Sequence, residues 1–332
     1  MKWALIGCSN IAREWVYDAI NAVGDSVEYI VSSDLARASA FAAEHNIPNP
    51  TDDLLVALRD PDVTAVYIST KNHLHCSQAL SAIAYNKHVM CEKPIALTAD
   101  DAYQMLMAAQ QQNVVLAVNH HLRNAASIKK IREIIKSGII GQILTVSLRH
   151  AVYLPESLRG WRIHDKENGG GVILDITVHD ADTLRFILDD DPVSVSAMAQ
   201  SGTLSNGDIP ESVMGIMRFK SGILVNFYDS FTAKYAQTGL DIIGTEGSII
   251  AKDIMTQNPR GEIYLVNQDG CNPITIHHEN LYENSFRQFK DAVQHGQAPA
   301  ASSEDGQWSL TIGLAVNEAA CSGKTVTVAI KE

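Results

Sequence analysis

Residues 2–12 read KWALIGCSNIA, and this stretch decides how the first part of the chain folds. The apolar run from Lys2 to Ile6 has the length and composition of a buried β-strand, and Gly7 follows it at once. Beyond the turn, apolar residues recur at helical spacing until Gly24; they are Trp15, Val16, Ala19, Ile20 and Val23. The stretch therefore predicts a strand, a tight turn and a helix.

The turn after this strand resembles the dinucleotide-binding fingerprint G-x-G-x-x-G/A. Gly7 takes the first small-residue place, Ser9 the second and Ala12 the third. Ser9 departs from the pattern because its side chain would crowd a pyrophosphate, although a small hydroxyl can also hydrogen-bond one. An ordinary strand–helix turn built from small residues is the alternative. The residues expected to hold a pyrophosphate are Gly7, Cys8, Ser9, Asn10, Ile11 and Ala12.

The second strand, Val27 to Val31, ends without the acidic residue that usually binds the ribose 2′-hydroxyl of NAD. Ser32 and Ser33 follow it instead, with Arg37 a few residues further on. Hydroxyls and an arginine suit a 2′-phosphate, so the pattern favours NADP(H) over NAD. Asp34 weakens this interpretation, and a solvated Arg37 on the following helix is the alternative.

Polar residues follow three later strands of the first half at their carboxyl ends. Those three strands are 65–70, 88–91 and 114–118. In open α/β sheets this edge is where ligands bind, and five strands alternating with helices predict a doubly wound parallel sheet. The polar residues expected to line a cofactor site there are Thr70, Lys71, Asn72, His73, Leu74, His75, Glu92, Lys93 and Asn119.

The composition limits the classes of function that remain. The chain has 332 residues and a formal net charge of −12, which makes a nucleic-acid or anionic-membrane surface unexpected. Its five cysteines form no CxxC pair and read as free thiols. Neither a cleavable leader nor an apolar run long enough to cross a bilayer is visible. We therefore expect a cytoplasmic protein with no membrane partner.

Three close histidine pairs suggest metal ligands at first sight; they are His73 with His75, His120 with His121, and His277 with His278. A catalytic zinc usually has three protein ligands and a supporting second shell. Neither an HExxH motif nor a cysteine-rich motif accompanies these pairs, so we expect no metal site.

The second half of the chain predicts an α+β domain built on a large, mostly antiparallel open sheet. A strand over 142–150 precedes a loop, a helix and six further β-like runs between 193 and 266. The expected domains are 1–120 and 121–332, with a last helix at about 304–320 packing back on the first. An open sheet face needs a polar surface or a partner, which makes a homo-oligomer through this sheet plausible.

Residues 168–188, NGGGVILDITVHDADTLRFIL, place three glycines before a helical pattern. Asp175 and His179 lie four residues apart, so an α-helix puts both on one face. A carboxylate at that spacing can orient an imidazole and raise its pKa. The pair therefore reads as a catalytic acid, the alternative being a solvated pair on the outer face of the helix.

Glu92-Lys93-Pro94 at a strand tip, Asp175-x-x-x-His179 after glycines and the N-terminal fingerprint together resemble the glucose–fructose oxidoreductase and inositol dehydrogenase (Gfo/Idh/MocA) family. The resemblance spans the whole chain. It is closest to sugar reductases of that family in five segments: 9–15, 119–126, 152–155, 160–162 and 169–186.

The resemblance implies roles for residues in both domains. Lys93, His179 and Asp175 would be catalytic, with His150, Trp161 and Arg162 around a sugar substrate. Trp161, Arg162 and Tyr282 would close on the cofactor from the second domain, while Ser32, Ser33 and Arg37 would bind the 2′-phosphate of NADP(H).

The expected reaction is reduction of a sugar ketone with NADPH. It requires a positioned carbon, stabilisation of an alkoxide and delivery of a proton, and either Lys93 or His179 could be the proton donor. One alternative is an NAD(P)-dependent inositol or aldose dehydrogenase of the same family. The alternative from another class is a non-catalytic NADP-binding regulator.

Overall fold

The computed structural model describes residues 1–205 and 207–331. The chain divides into two compact units, one made of Met1–His121 and Tyr282–Gln307 and the other of Leu122–Leu281 and 308–331. The domain limits expected from the sequence, 1–120 for cofactor binding and 121–332 for substrate binding, remain a prediction.

The first unit contains a six-stranded sheet in which every pair of neighbours is parallel. Its strands are β1 (Lys2–Ile6), β2 (Ser26–Val31), β3 (Asn49–Thr51), β4 (Ala65–Ile68), β5 (His88–Cys91) and β6 (Leu116–Val118). The spatial order is β3-β2-β1-β4-β5-β6, which reverses direction at β1. This confirms the doubly wound parallel sheet predicted from the sequence.

Helices connect the parallel strands. They are α1 (Tyr17–Ala22), α2 (Leu35–His45), α3 (Leu54–Arg59), α4 (His75–Ala84) and α5 (Ala99–Gln112). A π-helical turn, Ala12–Val16, leads directly into α1. Asp34, Asp53 and Thr98 cap α2, α3 and α5 by accepting backbone N–H bonds, as short polar side chains at helix starts commonly do.

The sequence reading missed strand β3, which brings the number of strands from five to six. This strand has only three residues and contains Pro50, so it lacks both an apolar run and one ladder donor. It lies at the edge of the sheet, where a proline is tolerated.

The second unit is built on a nine-stranded sheet. Its strands are β7 (Ile143–Ala151), β8 (Pro192–Gln200), β9 (Ser212–Phe219), β10 (Leu224–Ser230), β11 (Gly239–Gly244), β12 (Ser248–Lys252), β13 (Glu262–Asn267), β14 (Gly270–Ile274) and β15 (Val326–Thr327). The order is β14-β13-β12-β11-β7-β10-β9-β8-β15, and within the described chain only β7 and β10 run parallel. The predicted large, mostly antiparallel sheet is confirmed.

The second unit also contains three helices before residue 190. They are α6 (Ala126–Lys136), α7 (Glu156–His164) and α8 (Val178–Leu188), the last preceded by a π-helical turn at Ile173–Thr177. Helix α7 lies where the sequence suggested a loop. Its pattern is obscured by Gly160, whose backbone is not helical (φ 9°, ψ −118°).

Two helices complete the chain: α9 (Leu281–His295) and α10 (Ser303–Ser322). Nearly all of α9 and the start of α10 cluster with the first unit, while α10 from Trp308 onward belongs to the second. Among residues 1–205 and 207–331, no helix combines the length and the apolar composition that crossing a bilayer requires.

The faces of the nine-stranded sheet differ in burial. On β9, Val213, Gly215, Met217 and Phe219 are buried, and the alternate residues Met214, Ile216 and Arg218 are exposed. The buried face contributes to the hydrophobic core of the unit, together with side chains of α6, α8 and α10. The exposed face carries large apolar side chains, as the alternation in the sequence predicts.

Candidate active site

Gly7 occupies a position that only glycine fits. Its φ is +107°, a conformation that residues with a side chain rarely adopt. A Cβ at this position would also lie 3.0 Å from backbone atoms of Ser69 and Thr70. The turn therefore brings the ends of β1 and β4 into direct backbone contact, which leaves their polar termini on one edge of the sheet.

The hydroxyl of Ser9 has two protein partners. It donates to Ser69 Oγ at 2.8 Å and accepts the backbone N–H of Ala12 at 3.1 Å. The serine that departs from the glycine pattern therefore closes the first turn of the helical segment that follows. Its side chain is directed at the protein itself, which limits the crowding that the sequence suggested.

Asp34 and Arg37 make different hydrogen bonds at the end of β2. Asp34 Oδ1 accepts the backbone N–H groups of Ala36 and Arg37 at 2.9 and 3.2 Å and so caps α2. The Arg37 side chain donates from Nε to Ser32 Oγ at 3.0 Å and from Nη2 to Ser33 Oγ at 3.4 Å. Two hydroxyls and a guanidinium thus lie together, with the guanidinium and Ser33 exposed.

His75 joins two of the strand-tip loops. Its ring is buried, with Nδ1 2.8 Å from the carbonyl oxygen of Pro94 and Nε2 3.2 Å from that of Thr70. Burial lowers the pKa of His75, which favours a neutral ring that donates through one nitrogen. Lys71 and His73 of the same loop are exposed, whereas Asn72 is buried.

A buried hydrogen-bonded group lies behind Lys93. Glu92 Oε1 accepts from the hydroxyl of Tyr67 and, at 2.7 Å, from Asn119 Nδ2. Burial raises the pKa of Glu92, while these donors and the ammonium of Lys93 oppose that rise. The sequence reading missed Tyr67, although a tyrosine in an aliphatic buried strand signals a hydroxyl that needs a partner.

Lys93 follows this group on the chain and is half-buried. It stands between Glu92, whose carboxylate also accepts the backbone N–H of Lys93, and Pro94, whose carbonyl contacts His75. Neighbours on both sides therefore fix the backbone that carries this ammonium group. Rigid backbone of this kind suits a side chain that must stabilise charge in a reaction.

Tyr282 clusters with the first unit, in contrast to the second-domain position that the resemblance implied. Its ring is fully buried between two others, stacked on Trp15 at 5.3 Å and on His121 at 4.8 Å between centroids. These contacts connect α9 with the helical segment after the Gly7 turn. In this structure Tyr282 therefore packs inside the first unit.

In the second unit, Arg162 and Asp175 form an ion pair, with Arg162 Nε 2.9 Å from Asp175 Oδ2. The guanidinium also lies over the ring of Trp161 at 4.9 Å. Three residues predicted to surround the sugar or to be catalytic are thus brought together. All three are partly accessible to solvent.

The glycine run positions this group by close contact. Gly170 N–H donates to the carbonyl of Asp165 at 2.9 Å, and Gly171 N–H donates to that of Arg162 at 2.7 Å. A Cβ on Gly170 would lie 2.8 Å from the carbonyl oxygens of Asp165 and Trp161. A run of glycines is commonly flexible, whereas here the glycines allow the end of α7 to approach the next segment.

His179 and His150 lie on different elements with their ring centroids 6.4 Å apart. His179 is the second residue of α8, and His150 is on β7 with Nδ1 2.7 Å from Asp180 Oδ1. The π-helical turn ends just before α8, so the α-helical spacing assumed for Asp175 and His179 does not hold across it. Both histidines are buried.

The first unit has the features that a dinucleotide requires of a protein. Gly7 lets the backbone approach closely, small residues follow it, and a cation with two hydroxyls stands at the end of the second strand. Gly7 to Ala12 could hold a pyrophosphate, and Ser32, Ser33 and Arg37 a ribose phosphate. Within the part of the chain that the structure describes, no three metal-ligating side chains come together.

Two family models match the chain. Residues 1–120 match the model described as an oxidoreductase family with an NAD-binding Rossmann fold, and residues 128–250 match the GFO/IDH/MocA C-terminal domain. Together they cover most of both units.

Similar proteins include several oxidoreductases. The 1,5-anhydro-D-fructose reductase of Ensifer adhaerens is 48% identical over 98% of each chain. The myo-inositol 2-dehydrogenase of Thermotoga maritima is 27% identical over 79% of this chain and 78% of its own. A levoglucosan dehydrogenase solved with NADH and levoglucosan superposes with a TM-score of 0.89 at 24% identity, covering 99% of both chains.

Proposed function

This chain belongs to the Gfo/Idh/MocA family of oxidoreductases, and from that membership we propose that it reduces 1,5-anhydro-D-fructose to 1,5-anhydro-D-mannitol with NADPH. The observation that supports this substrate is the 48% identity, over 98% of both chains, to a 1,5-anhydro-D-fructose reductase. The local geometry around Arg37, Lys93 and His179 supports the chemistry.

The preference for NADPH rests on the end of β2. Asp34 already accepts two backbone N–H groups at the start of α2 through Oδ1, which uses part of its capacity to accept a ribose 2′-hydroxyl. Arg37 is held on Ser32 and Ser33, where it would give a 2′-phosphate a charged donor beside two hydroxyls. A cation held in this way favours the phosphorylated cofactor.

The proposed chemistry assigns separate roles to Lys93, His179, Asp175 and Arg162. When bound, the nicotinamide supplies the hydride. Lys93 stabilises the negative charge that develops on the former ketone oxygen, and either His179 or Lys93 protonates it. Asp175 holds Arg162 for the sugar hydroxyls through their 2.9 Å ion pair, and its predicted orientation of His179 is part of the same proposal.

Oxidation of NADPH in the presence of 1,5-anhydro-D-fructose tests the proposal. We expect steady loss of NADPH absorbance, with anhydromannitol as the product identified by chromatography. The same assay with other 2-ketoaldoses, simple ketoses and inosose should give much lower kcat/KM values. A preference for any of these over 1,5-anhydro-D-fructose would contradict the substrate assignment.

The same assay distinguishes two other functions from the proposed one. The match to a myo-inositol 2-dehydrogenase favours an inositol or aldose dehydrogenase as the second candidate. That enzyme would reduce NAD(P) with inositol or an aldose and turn over the ketosugar poorly. A non-catalytic NADP-binding regulator would bind NADPH, as seen by fluorescence titration, and oxidise none of it with any sugar.

The proposal also includes a cytoplasmic location, for which the five cysteines, all unpaired in the structure, are the support. It includes self-association through the exposed face of the nine-stranded sheet. Met198, Met214 and Ile216 on that face are 81%, 59% and 52% exposed, and contiguous apolar surface of this kind usually marks an interface.

A further inference from the structure

Two carboxyl groups meet inside the second unit. Asp180 on α8 and Asp229 on β10 are both 0% exposed, and their carboxyl groups lie close enough to form a hydrogen bond when one of them is protonated. Asp180 Oδ2 and Asp229 Oδ1 find no other donor in the described part of the chain. Two carboxyl oxygens can form a hydrogen bond only if one of them carries a proton, so the pair shares one.

The pair has a donor at each outer end. His150 Nδ1 lies 2.7 Å from Asp180 Oδ1, and Thr177 Oγ1 donates to Asp229 Oδ2 at 2.5 Å. The strand register reinforces the arrangement, because Asp229 on β10 is directly opposite His150 on β7. The result is a continuous buried chain of hydrogen bonds from Thr177 to His150.

The donors indicate which carboxyl keeps the proton. Asp180 Oδ1 lies beside Nδ1 of His150, and a carboxylate there is stabilised when Nδ1 carries the ring proton, whereas Asp229 faces only a neutral hydroxyl. Burial raises the pKa of both groups, that of Asp180 to about 7, and the nearby charge of Asp180 raises that of Asp229 further. Asp180 therefore ionises first, and Asp229 holds the shared proton.

We propose that the protonated carboxyl of Asp229 donates a hydrogen bond to the carboxylate of Asp180, and that Asp180 fixes the Nδ1–H tautomer of His150 for sugar binding. Asp180 and Asp229 are then positioning residues that act through His150. Nε2 of this tautomer carries a lone pair, so it accepts a hydrogen bond from a sugar hydroxyl. The inference rests on the proposed function, since it assumes that His150 contacts the sugar.

Other charged groups around the pair have partners of their own. Asp182, two residues further on α8, is bound by Arg123 at 2.7 Å, and Arg185 is bound to Asp191 at 2.8 Å. Further ion pairs on the surrounding elements are Arg162 with Asp175, Arg132 with Asp189, and Lys130 with Glu133. His179 is a further titratable neighbour, with its ring 6.4 Å from that of His150.

A pair of matched variants tests the assignment at pH 8. In Asp229→Asn the amide N–H donates to Asp180 in place of the carboxyl O–H, so the effect on the sugar KM should be small. In Asp180→Asn the charge facing His150 is lost, so the sugar KM should rise about fivefold or more while NADPH affinity stays constant. Asp182→Asn removes a neighbouring buried carboxylate from the same helix and should leave the sugar KM unchanged.

Nitrogen-15 NMR of the histidine rings gives a readout that needs no turnover. The His150 signals are assigned with a His150→Gln variant, and we expect the ring proton on Nδ1 in the wild type and in Asp229→Asn. In Asp180→Asn the Nδ1–H signal should shift as its acceptor loses charge. A proton on Nε2 in the wild type, or equal kinetic effects of the two variants, would overturn the inference. Absence of turnover with a correct Nδ1–H tautomer would instead refute the proposed function alone.

Discussion

At the scale of single residues, Asp34 and Arg37 have different hydrogen-bond partners at the end of β2. Asp34 accepts backbone N–H groups, and the Arg37 side chain donates to the hydroxyls of Ser32 and Ser33. Replacing Arg37 by alanine removes a charged donor to the 2′-phosphate, a contact worth about 1.5–3 kcal/mol. We expect the KM for NADPH to rise roughly tenfold or more and that for NADH to change little. Steady-state kinetics with both cofactors would measure the difference.

Arg13→Ala is a suitable control for this substitution. Arg13 is another cation of the first unit, but its Nε is bound to Glu44 at 2.9 Å and its guanidinium lies over Phe41. Its loss should leave the ratio of the two KM values unchanged. An equal rise in both KM values for Arg37→Ala would contradict the phosphate assignment.

His179 and Lys93 should act in the chemical step. His179→Ala removes a proton donor and should lower kcat by about 10²–10⁴-fold. Lys93→Ala removes a stabilising charge, with a loss of about 10²-fold or more. If the two residues act as a unit, the double variant should be little slower than the slower single variant.

NADPH affinity distinguishes a chemical role from a structural one. Fluorescence titration should give a nearly unchanged dissociation constant for His179→Ala and a modest rise for Lys93→Ala. Lower thermal stability with normal turnover in the folded fraction would assign His179 to packing alone. Wild-type turnover within a few-fold for His179→Ala would remove this histidine from the mechanism.

At the scale of secondary-structure elements, the glycine run is the most constrained connection of the second unit. Gly170→Ala would push a Cβ to 2.8 Å from two carbonyl oxygens at the end of α7. Because backbone atoms cannot move aside cheaply, we expect a loss of about 1–3 kcal/mol in the free energy of unfolding. The displaced α7 should also raise the sugar KM.

Gly207→Ala provides the comparison, since a Cβ at Gly207 would meet nothing within 4 Å. Urea unfolding should show a lower free energy of unfolding for Gly170→Ala than for Gly207→Ala. Steady-state kinetics should show a higher sugar KM for Gly170→Ala. If Gly170→Ala matched Gly207→Ala in both measurements, the run would serve flexibility, as its sequence first suggests.

Elements with a clear period could be predicted from the sequence, and those that depend on tertiary contacts could not. The alternation of apolar residues over 212–219 predicts a strand, and β9 has the bounds Ser212–Phe219. Strand β3 was not predicted because it is three residues long and contains Pro50. Helix α7 was not predicted because Gly160 interrupts its helical pattern. The strand-tip positions of Glu92, Lys93 and Asn119 followed from the order of the parallel sheet.

The buried polar partners of the site were the part that the sequence could not supply. Tyr67, Asp180 and Asp229 stand in apolar or unremarkable contexts, and only the fold brings them to Glu92 and His150. The catalytic roles of Lys93, Asp175 and His179 remain predictions, with the contacts described above as their support.

At the scale of the whole molecule, the ionisation of Asp180 links stability to pH. Its pKa is raised from 3.8 to about 7 by burial, so the protonated form is favoured in the folded state. The resulting stabilisation is fully present below about pH 4 and is lost as pH rises to about 7, at no more than about 1.4 kcal/mol per pH unit.

Urea unfolding of the wild type and of Asp180→Asn between pH 5 and 8 would measure this link. The free energy of unfolding of the wild type should fall relative to that of the variant as pH rises to about 7. Above that pH the difference between the two should stay constant. Asp241→Asn, which removes an exposed carboxylate from β11, should show no such change relative to the wild type. A constant difference between wild type and Asp180→Asn would contradict the raised pKa.

The exposed sheet face makes a prediction about assembly. Ile216→Lys places a charge among Met198 and Met214, so it should convert a self-associating wild type to monomer in analytical ultracentrifugation. Leu35→Lys makes the same change at a 47% exposed site of the first unit and should leave the assembly intact. Identical sedimentation of the wild type and Ile216→Lys would contradict assembly through this face.

The π-helical turn at Ile173–Thr177 lies within the Asp175-x-x-x-His179 motif, so the number of residues in this turn sets how the two side chains are placed around the helix. A π-turn holds one residue more than the α-turn it replaces, so deleting Ile176 would allow an uninterrupted helix to form into α8. Residues before the deletion would rotate by about 100° around the helix axis, while those from Val178 onward would keep their faces. Asp175 would then leave Arg162, whereas His179 and Asp180 would stay in place. Among relatives of this chain, a single-residue length difference at this turn would thus retune sugar recognition while leaving the histidine unchanged.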